Sequence, residues 1–284
     1  MYSTPIPANQ RNLMNKTELH DMILHENNTV EVIRQALIME EPLSIRIDGN
    51  AYSVVMRTPG DEIYHAAGFC LAEGIVDHPD DFATIGFCTE EGVNVVTATL
   101  TSERRNRVEH LLGRRGFISQ TSCGICGKEL VKDLYQIVRP VSQTFNIPIA
   151  TAMACVDRLV EQQHLFSKTG STHASMIFDS ENSVMAYAED VGRHNALDKA
   201  IGRVFMNRKI NEANIAALSS RISYELVQKA ARAGIEMMVS MSRPTALAVT
   251  LAKSLNMTLA CVGRRRGFMI FCGKERFQEE AEGH

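Results

Sequence analysis

Apolar and polar positions along the chain change period several times, and each change marks an element. Over 43–47 and 52–56 they alternate on either side of Asp48-Gly49-Asn50, which predicts a β-hairpin. Thr58-Pro59-Gly60-Asp61 then opens a helix carrying Ile63, Ala66, Ala67 and Leu71 on one face, with Gly74 near its end. Phe82 to Cys88 and Val93 to Leu100 read as a second strand pair. Leu130, Val131, Leu134, Ile137 and Val138 recur at helical spacing. From Ala174 onward one grammar repeats. Strands Ala174 to Phe178 and Val184 to Ala188 flank a turn, and a helix with Leu197, Ala200, Ile201, Val204 and Phe205 follows. Then come strand Ile215 to Leu218, a helix from Ile222 to Ala233 stopped by Gly234, and strand Ile235 to Val239. Pro244 suits the first turn of a helix aligning Leu247, Leu251 and Leu255, and strands Met257 to Val262 and Phe268 to Phe271 end the pattern.

Strands alternating with helices predict an α/β fold in three layers, with a mixed, largely parallel sheet between helices. Residues 29–120 read as a smaller α+β domain, 121–127 as a loop and linker, and 128–275 as the larger domain. The flanks 1–28 and 276–284 read as tails, the latter a possible tag remnant. Three loops leave strands in the same sense: Ser219-Ser220-Arg221, Ser240 to Pro244 and Gly263 to Gly267. Loops beyond the carboxyl ends of such strands gather at one edge, where ligands bind. All three contain arginine.

Composition narrows the field. The chain has 284 residues, is 45% hydrophobic and 22% charged, and carries a formal net charge of −3, so no global basic field draws it to nucleic acid. No apolar run approaches the roughly 20 residues that span a bilayer, and the N-terminus lacks a signal-peptide stretch. Seven scattered cysteines argue against a secreted disulfide scaffold. The expectation is a cytoplasmic protein with reduced thiols and no membrane or nucleic-acid partner.

Within that protein the sharpest chemical signal is Cys123-Gly124-Ile125-Cys126-Gly127. A cysteine near a helix N-terminus or a cation has a depressed pKa, and the thiolate is the form that attacks sulfur. The alternative is half of a zinc site, although no second C-x-x-C or H-x-x-x-H completes it. A zinc deaminase would need an upstream H-x-E, which is missing. Cys70, Cys88, Cys155, Cys261 and Cys272 are isolated and read as buried small hydrophobes.

Two further constellations stand out. Along Glu189-Asp190-Val191-Gly192-Arg193-His194-Asn195-Ala196-Leu197-Asp198-Lys199, either Asp190 or Asn195 caps a helix, or Arg193 and His194 bind an anion. His173 is a weaker candidate. Gly263-Arg264-Arg265-Arg266-Gly267 is either a solvated hairpin turn or a phosphate cradle of forked donors.

Assembled, these residues resemble the formate dehydrogenase accessory sulfurtransferase family, FdhD. The likeness runs from about Val30 to Phe271 and is carried by Met56 to Pro59, Ala67-Gly68-Phe69, Ala72 to Ile75, the Cys123 loop and Gly170 to Ala174. Glu189 to Lys199, Ser223 to Gly234 and Ser242 to Thr245 complete it. The resemblance implies a homodimer with a cytidine-deaminase-like larger domain that lacks the zinc site. It implies a carrier that takes sulfur from a cysteine desulfurase as a persulfide on Cys123. That sulfur passes to the bis-molybdopterin guanine dinucleotide cofactor before formate dehydrogenase receives it. Cys126 assists or protects Cys123, and Val262, Gly263, Arg264, Arg265, Arg266 and Gly267 align with the cofactor-binding segment, so GDP should bind as a fragment. No structural metal is implied. The rivals are a non-catalytic cofactor chaperone and a C-x-x-C dithiol oxidoreductase.

Overall fold

In the computed structural model the described residues are 16–90, 93–112, 138–263 and 267–278. Turn chemistry fixes the first half. Strands β1 (Thr17–Glu26) and β2 (Thr29–Ile38) form a hairpin whose Asn27 and Asn28 both take positive φ, 48° and 66°. That is the two-residue turn whose twist matches paired strands. The stretch through residue 28 expected to be a tail is therefore strand from Thr17 onward. Strands β3 (Glu41–Ile47) and β4 (Asn50–Arg57) turn through Asp48 and Gly49, again at positive φ. With β5 (Phe82–Glu90) and β6 (Val93–Leu100) they make a four-stranded sheet in the order β4-β3-β6-β5. Helix α1 (Glu62–Ala72) lies between β4 and β5, and α2 (Ser102–Leu112) follows β6.

After α3 (Ile149–Gln162) and α4 (His164–Thr169) the chain builds a second sheet. Its members are β7 (His173–Phe178), β8 (Val184–Asp190), β9 (Ile215–Leu218), β10 (Met237–Ser240), β11 (Thr258–Val262) and β12 (Phe268–Cys272). Helices α5 (Arg193–Met206), α6 (Tyr224–Arg232) and α7 (Ala246–Ser254) connect them. The order is β12-β11-β10-β9-β7-β8. Only β9–β10 and β10–β11 pair in parallel, whereas β7–β8, β7–β9 and β11–β12 are antiparallel. The sheet is mixed as expected, but with two parallel pairings against three antiparallel ones it is not largely parallel. Two hairpins supply two of the antiparallel pairings, and the α5 crossover returns β9 beside β7 rather than beside β8.

Side chains alternate between the faces of this sheet. Met176, Phe178, Ile215, Ala217, Met237 and Val239 join Ala152, Cys155, Val156 and Leu159 of α3 in one apolar cluster. Ile177, Ala216, Leu218, Met238 and Leu259 join α5, α6 and α7 in another, which runs on through α1 to Leu43, Ile45 and Ala98 of the first sheet. Helices therefore cover both faces. The two sheets meet where α1 crosses α5 at paired glycines. A Cβ on Gly68 would lie 2.0 Å from the Asp198 carbonyl oxygen, and one on Gly202 would lie 1.8 Å from that of Tyr64.

The expected C-terminal tail from 276 begins inside the fold. Arg276 is fully buried, its Nε donating to Glu236 at 2.9 Å, while Phe277 meets Phe268 edge-to-face at 5.5 Å. No helix among the described residues is long and apolar enough to cross a membrane.

Candidate functional site at the carboxyl edge of the second sheet

Because β9, β10 and β11 run in parallel, the loops that follow them leave at one edge. There Arg221, Met241, Ser242, Arg243, Cys261, Val262, Gly263 and Gly267 line a cavity of about 740 Å³. Local bonds shape each wall. The Ser219 hydroxyl accepts from the Ala174 amide at 2.8 Å, and the Ser240 hydroxyl donates to the Ser242 carbonyl at 2.5 Å. Thr245 caps α7 by accepting from Ala248. The Gly263 amide donates to the Gly267 carbonyl at 2.6 Å and closes the turn. A Cβ at Gly263 would come within 2.9 Å of Met269 and 3.3 Å of Gly267, so the turn is closed tightly around a missing side chain. Arg264, Arg265 and Arg266 lie outside the described residues, as do Cys123 and Cys126.

Arginine pairing singles out the same edge. Arg57 pairs with Glu62, Arg104 with Asp77, Arg105 with Asp48, Arg203 with Asp61, Arg232 with Asp77 and Arg276 with Glu236. Among the described residues, Arg139, Arg193, Arg221 and Arg243 make no hydrogen bond or ion pair. The last three stand at the carboxyl edge. Arg139 stands at the opposite one, lining a cavity of about 660 Å³ beside Asn214 and Glu236, where the described chain resumes.

The Glu189–Lys199 motif is mostly scaffold. Glu189 accepts from the Leu165 and Phe166 amides at 2.9 and 2.8 Å and from the Thr172 hydroxyl, so its carboxylate holds the amino end of α4. Asp190 is fully buried. It pairs with Lys199 at 2.6 Å and accepts from the Thr58 and Gly192 amides and the Asn195 side chain. Lys199 and Asn195 donate in turn to the Thr58 and Met56 carbonyls. One buried carboxylate thereby ties the end of β4 to the start of α5. Of the two helix caps expected, neither Asp190 nor Asn195 is the cap residue; Gly192 is, without a side-chain bond.

Beside this junction His194, Asp198, Glu225, Lys229 and Glu73 line a smaller cavity of about 370 Å³. His194 bonds Glu225 at 2.8 Å and meets Ser223 at 3.3 Å. Burial alone would raise the Glu225 pKa, but the hydrogen bond and charge of His194, with Lys229 and Arg193, hold it below the usual range. Burial likewise opposes charge on Lys229, yet Asp198, bonded at 2.8 and 2.9 Å, and Glu73 keep its pKa above the ordinary lysine value.

Four of the described thiols, Cys70, Cys155, Cys261 and Cys272, are held protonated by burial. Burial pushes the Cys155 thiol up to about 12 and raises Cys70 and Cys261, the last against the charge of Arg243. Cys88 is exposed and Cys272 partly so, which corrects the reading of all five as buried. Cys88 lies on β5, the edge strand of the first sheet, in an exposed run from Gly86 to Thr89.

Residues 38–278 match the FdhD/NarQ family model. The chain belongs to the FdhD/NarQ family. It is 36% identical over 256 residues to a sulfur carrier protein FdhD of Anaeromyxobacter dehalogenans, covering 86% of this chain and 89% of that one. It is 34% identical to the protein of the same name in Mycobacterium tuberculosis, covering 85% and 91%. The fold matches a crystal structure described as a formate dehydrogenase accessory protein of Desulfotalea psychrophila. The TM-score is 0.73 at 20% identity, over 93% of this chain and all of the other.

Sequence reasoning placed the three arginine loops at this edge and named Arg193 with His194 as candidate anion binders, but it missed α3. The signal for α3 was present: Ala152, Cys155, Val156 and Leu159 keep helical spacing after Pro148.

Proposed function

We propose that this FdhD/NarQ protein is a sulfur carrier whose working thiol is Cys123. The Cys123 thiolate attacks the outer sulfur of a cysteine desulfurase persulfide, and the S–S bond breaks. The desulfurase leaves as a thiolate, and Cys123 holds the sulfur as S–SH. That sulfur then passes to bis-molybdopterin guanine dinucleotide, the substrate, on behalf of formate dehydrogenase, and the carrier works in the cytoplasm as a homodimer. The observation that carries the ligand half is the cavity where two guanidinium groups, Arg221 and Arg243, have no internal partner beside a glycine-closed turn. Forked, unpaired guanidinium groups and open backbone suit the phosphates of a guanine nucleotide. Relatives named as sulfur carriers, and the burial that raises the pKa of Cys70, Cys155, Cys261 and Cys272, support Cys123.

Two assays test it. Incubation with a desulfurase and labelled cysteine, read by intact mass, loads one sulfur on the wild type and none on Cys123→Ala. Loading retained by Cys123→Ala would refute the carrier assignment, and complete loss in Cys126→Ala would favour dithiol chemistry. In calorimetry Arg221→Gln and Arg243→Gln each weaken GDP by roughly ten- to a hundredfold, the worth of one charge-assisted bond.

A further inference from the structure

Strands β1 and β2, ten residues each, form a two-stranded sheet of their own. The root of this ribbon is held. The Met39 amide donates to the Lys16 carbonyl at 2.9 Å, the Gln35 side chain donates to the Lys168 carbonyl of α4 at 3.0 Å, and Ala36 is buried. Beyond the root, every residue from Glu18 to Val32 is exposed. A lone two-stranded ribbon is marginal in water and needs a further strand or a packed face.

One face of the ribbon shows what would cover it. Cross-strand neighbours share a face, and positions two apart repeat it. The register pairs Leu19 with Ala36, Asp21 with Arg34, Ile23 with Val32 and His25 with Val30, which puts all of these on the same face. Leu19, Ile23, Val30 and Val32 are each more than 60% exposed. Between the apolar rungs lies a charged one, where Arg34 Nε donates to Asp21 at 3.1 Å and both side chains stay about two-thirds exposed. A pair so exposed adds little by itself, and Arg34 keeps donors for a second carboxylate.

A face of one sign would suit a partner of the opposite sign. This face carries one charge of each sign at the same level on its two strands, so it is complementary to itself. Turning a second copy by 180° about an axis along the ribbon lays its β2 over β1 of the first. Ile23 then faces Val32 of the partner subunit and Asp21 faces Arg34 of the partner subunit, each contact occurring twice, as in any isologous interface. Ten residues at about 3.4 Å and two strands at about 4.8 Å give a face of roughly 330 Å², or about 650 Å² for two copies. That is below the roughly 1,200 Å² at which stable complexes begin, so the ribbon pair by itself gives a reversible dimer.

We propose that this face of the β1–β2 hairpin is a self-association surface, covered by the same hairpin of a second copy of the chain. The inference rests on the reading of the carrier as a homodimer and names the surface that joins it.

The test is sedimentation equilibrium of the full chain across a dilution series, comparing wild type with Asp21→Arg, Arg34→Asp and Ile23→Asn, with circular dichroism to confirm folding. The wild type dimerises reversibly, and each variant raises the dissociation constant tenfold or more, because every substitution enters the interface twice. Asp21→Arg puts two cations on one ribbon and Arg34→Asp puts two carboxylates on the other, so each repels its own copy and complements its counterpart. An equimolar mixture of the two therefore recovers the dimer, which loss of the ion pair within one hairpin does not explain. A wild type that is monomeric at every concentration overturns the proposal and the homodimer reading together. A wild-type dimer that all three variants leave at full strength overturns the hairpin surface and leaves the homodimer standing. Weakened variants whose mixture stays monomeric also overturn the surface, because the substitutions would then have disturbed the ribbon rather than a contact between copies.

Discussion

Replacing a helical glycine by alanine ordinarily stabilises a protein by about 1 kcal/mol, through helix propensity. Gly202 is expected to do the opposite. An added Cβ would sit 1.8 Å from the Tyr64 carbonyl oxygen and 2.7 Å from the Gly68 amide nitrogen, against 3.4 Å for ordinary contact. The helices would have to part by about 1.6 Å, the difference between 3.4 and 1.8 Å. Both obstructing atoms belong to the backbone of α1, so no side-chain rotation relieves the clash. Overpacking of this kind costs about 1–3 kcal/mol where neighbours yield. Parting α1 from α5 also loosens Ala66, Ala67 and Phe69 from the core they share with Leu197 and Ile201. Re-exposing on the order of 100 Å² adds about 2.5 kcal/mol at 25 cal/mol per Å². The steric terms therefore outweigh propensity, and Gly202→Ala loses about 3 kcal/mol net. In urea, with an m-value near 3 kcal/mol/M, the midpoint falls by about 1 M. Gly86→Ala is the control, since nothing lies within 4 Å of its added Cβ, and it stays within about 0.5 kcal/mol. A midpoint for Gly202→Ala at or above the wild-type value would refute the close helix crossing.

Asp190→Asn leaves the fully buried Lys199 ammonium unpaired, a loss of about 3–5 kcal/mol. At roughly 2–4 °C per kcal/mol for a chain of this size, calorimetry would show Tm lowered by about 6–20 °C, with much of it recovered in Asp190→Asn/Lys199→Met. His65 is fully buried, and burial with the charges of Lys199, Lys229 and Arg57 holds its pKa well below 6.5. The unfolded chain takes up that proton near pH 6.5 and the folded chain does not. Stability therefore falls by up to about 1.4 kcal/mol per pH unit as pH drops below 6.5, and urea titrations of His65→Leu lose that slope. Gly192→Ala brings a Cβ within 2.7 Å of the Asn195 amide that bonds Asp190, and thermal unfolding should register a lower Tm than wild type.

How much was legible in the sequence follows from what each element buries. The strands of the second sheet and helices α5, α6 and α7 have strong apolar periodicity because each covers a core face, and all were readable. The hairpin β1–β2 was not, because Leu19, Ile23, Val30 and Val32 are more than 60% exposed and no face is cleanly buried. Its readable signal was the Asn27-Asn28 pair rather than the strands. Sheet order was illegible for a different reason. Alternating strands and helices fix neither which edge a crossover returns to nor its direction, and the α5 crossover places β9 against β7. At the candidate site, sequence gave the arginines but not their partners. The difference between Arg276, neutralised inside the fold, and Arg243, unpaired on the cavity wall, exists only in three dimensions.

That difference has an electrostatic consequence. The chain is acidic overall, at −3, yet among the described residues its arginines are mostly neutralised by carboxylates within the fold. Arg221 and Arg243, without an ion-pair partner, leave positive charge on the wall of one cavity at the carboxyl edge. A positive edge of this kind orients an approaching anion before contact is made. Screening extends over about 8 Å at physiological ionic strength, so added salt slows association more than it speeds release.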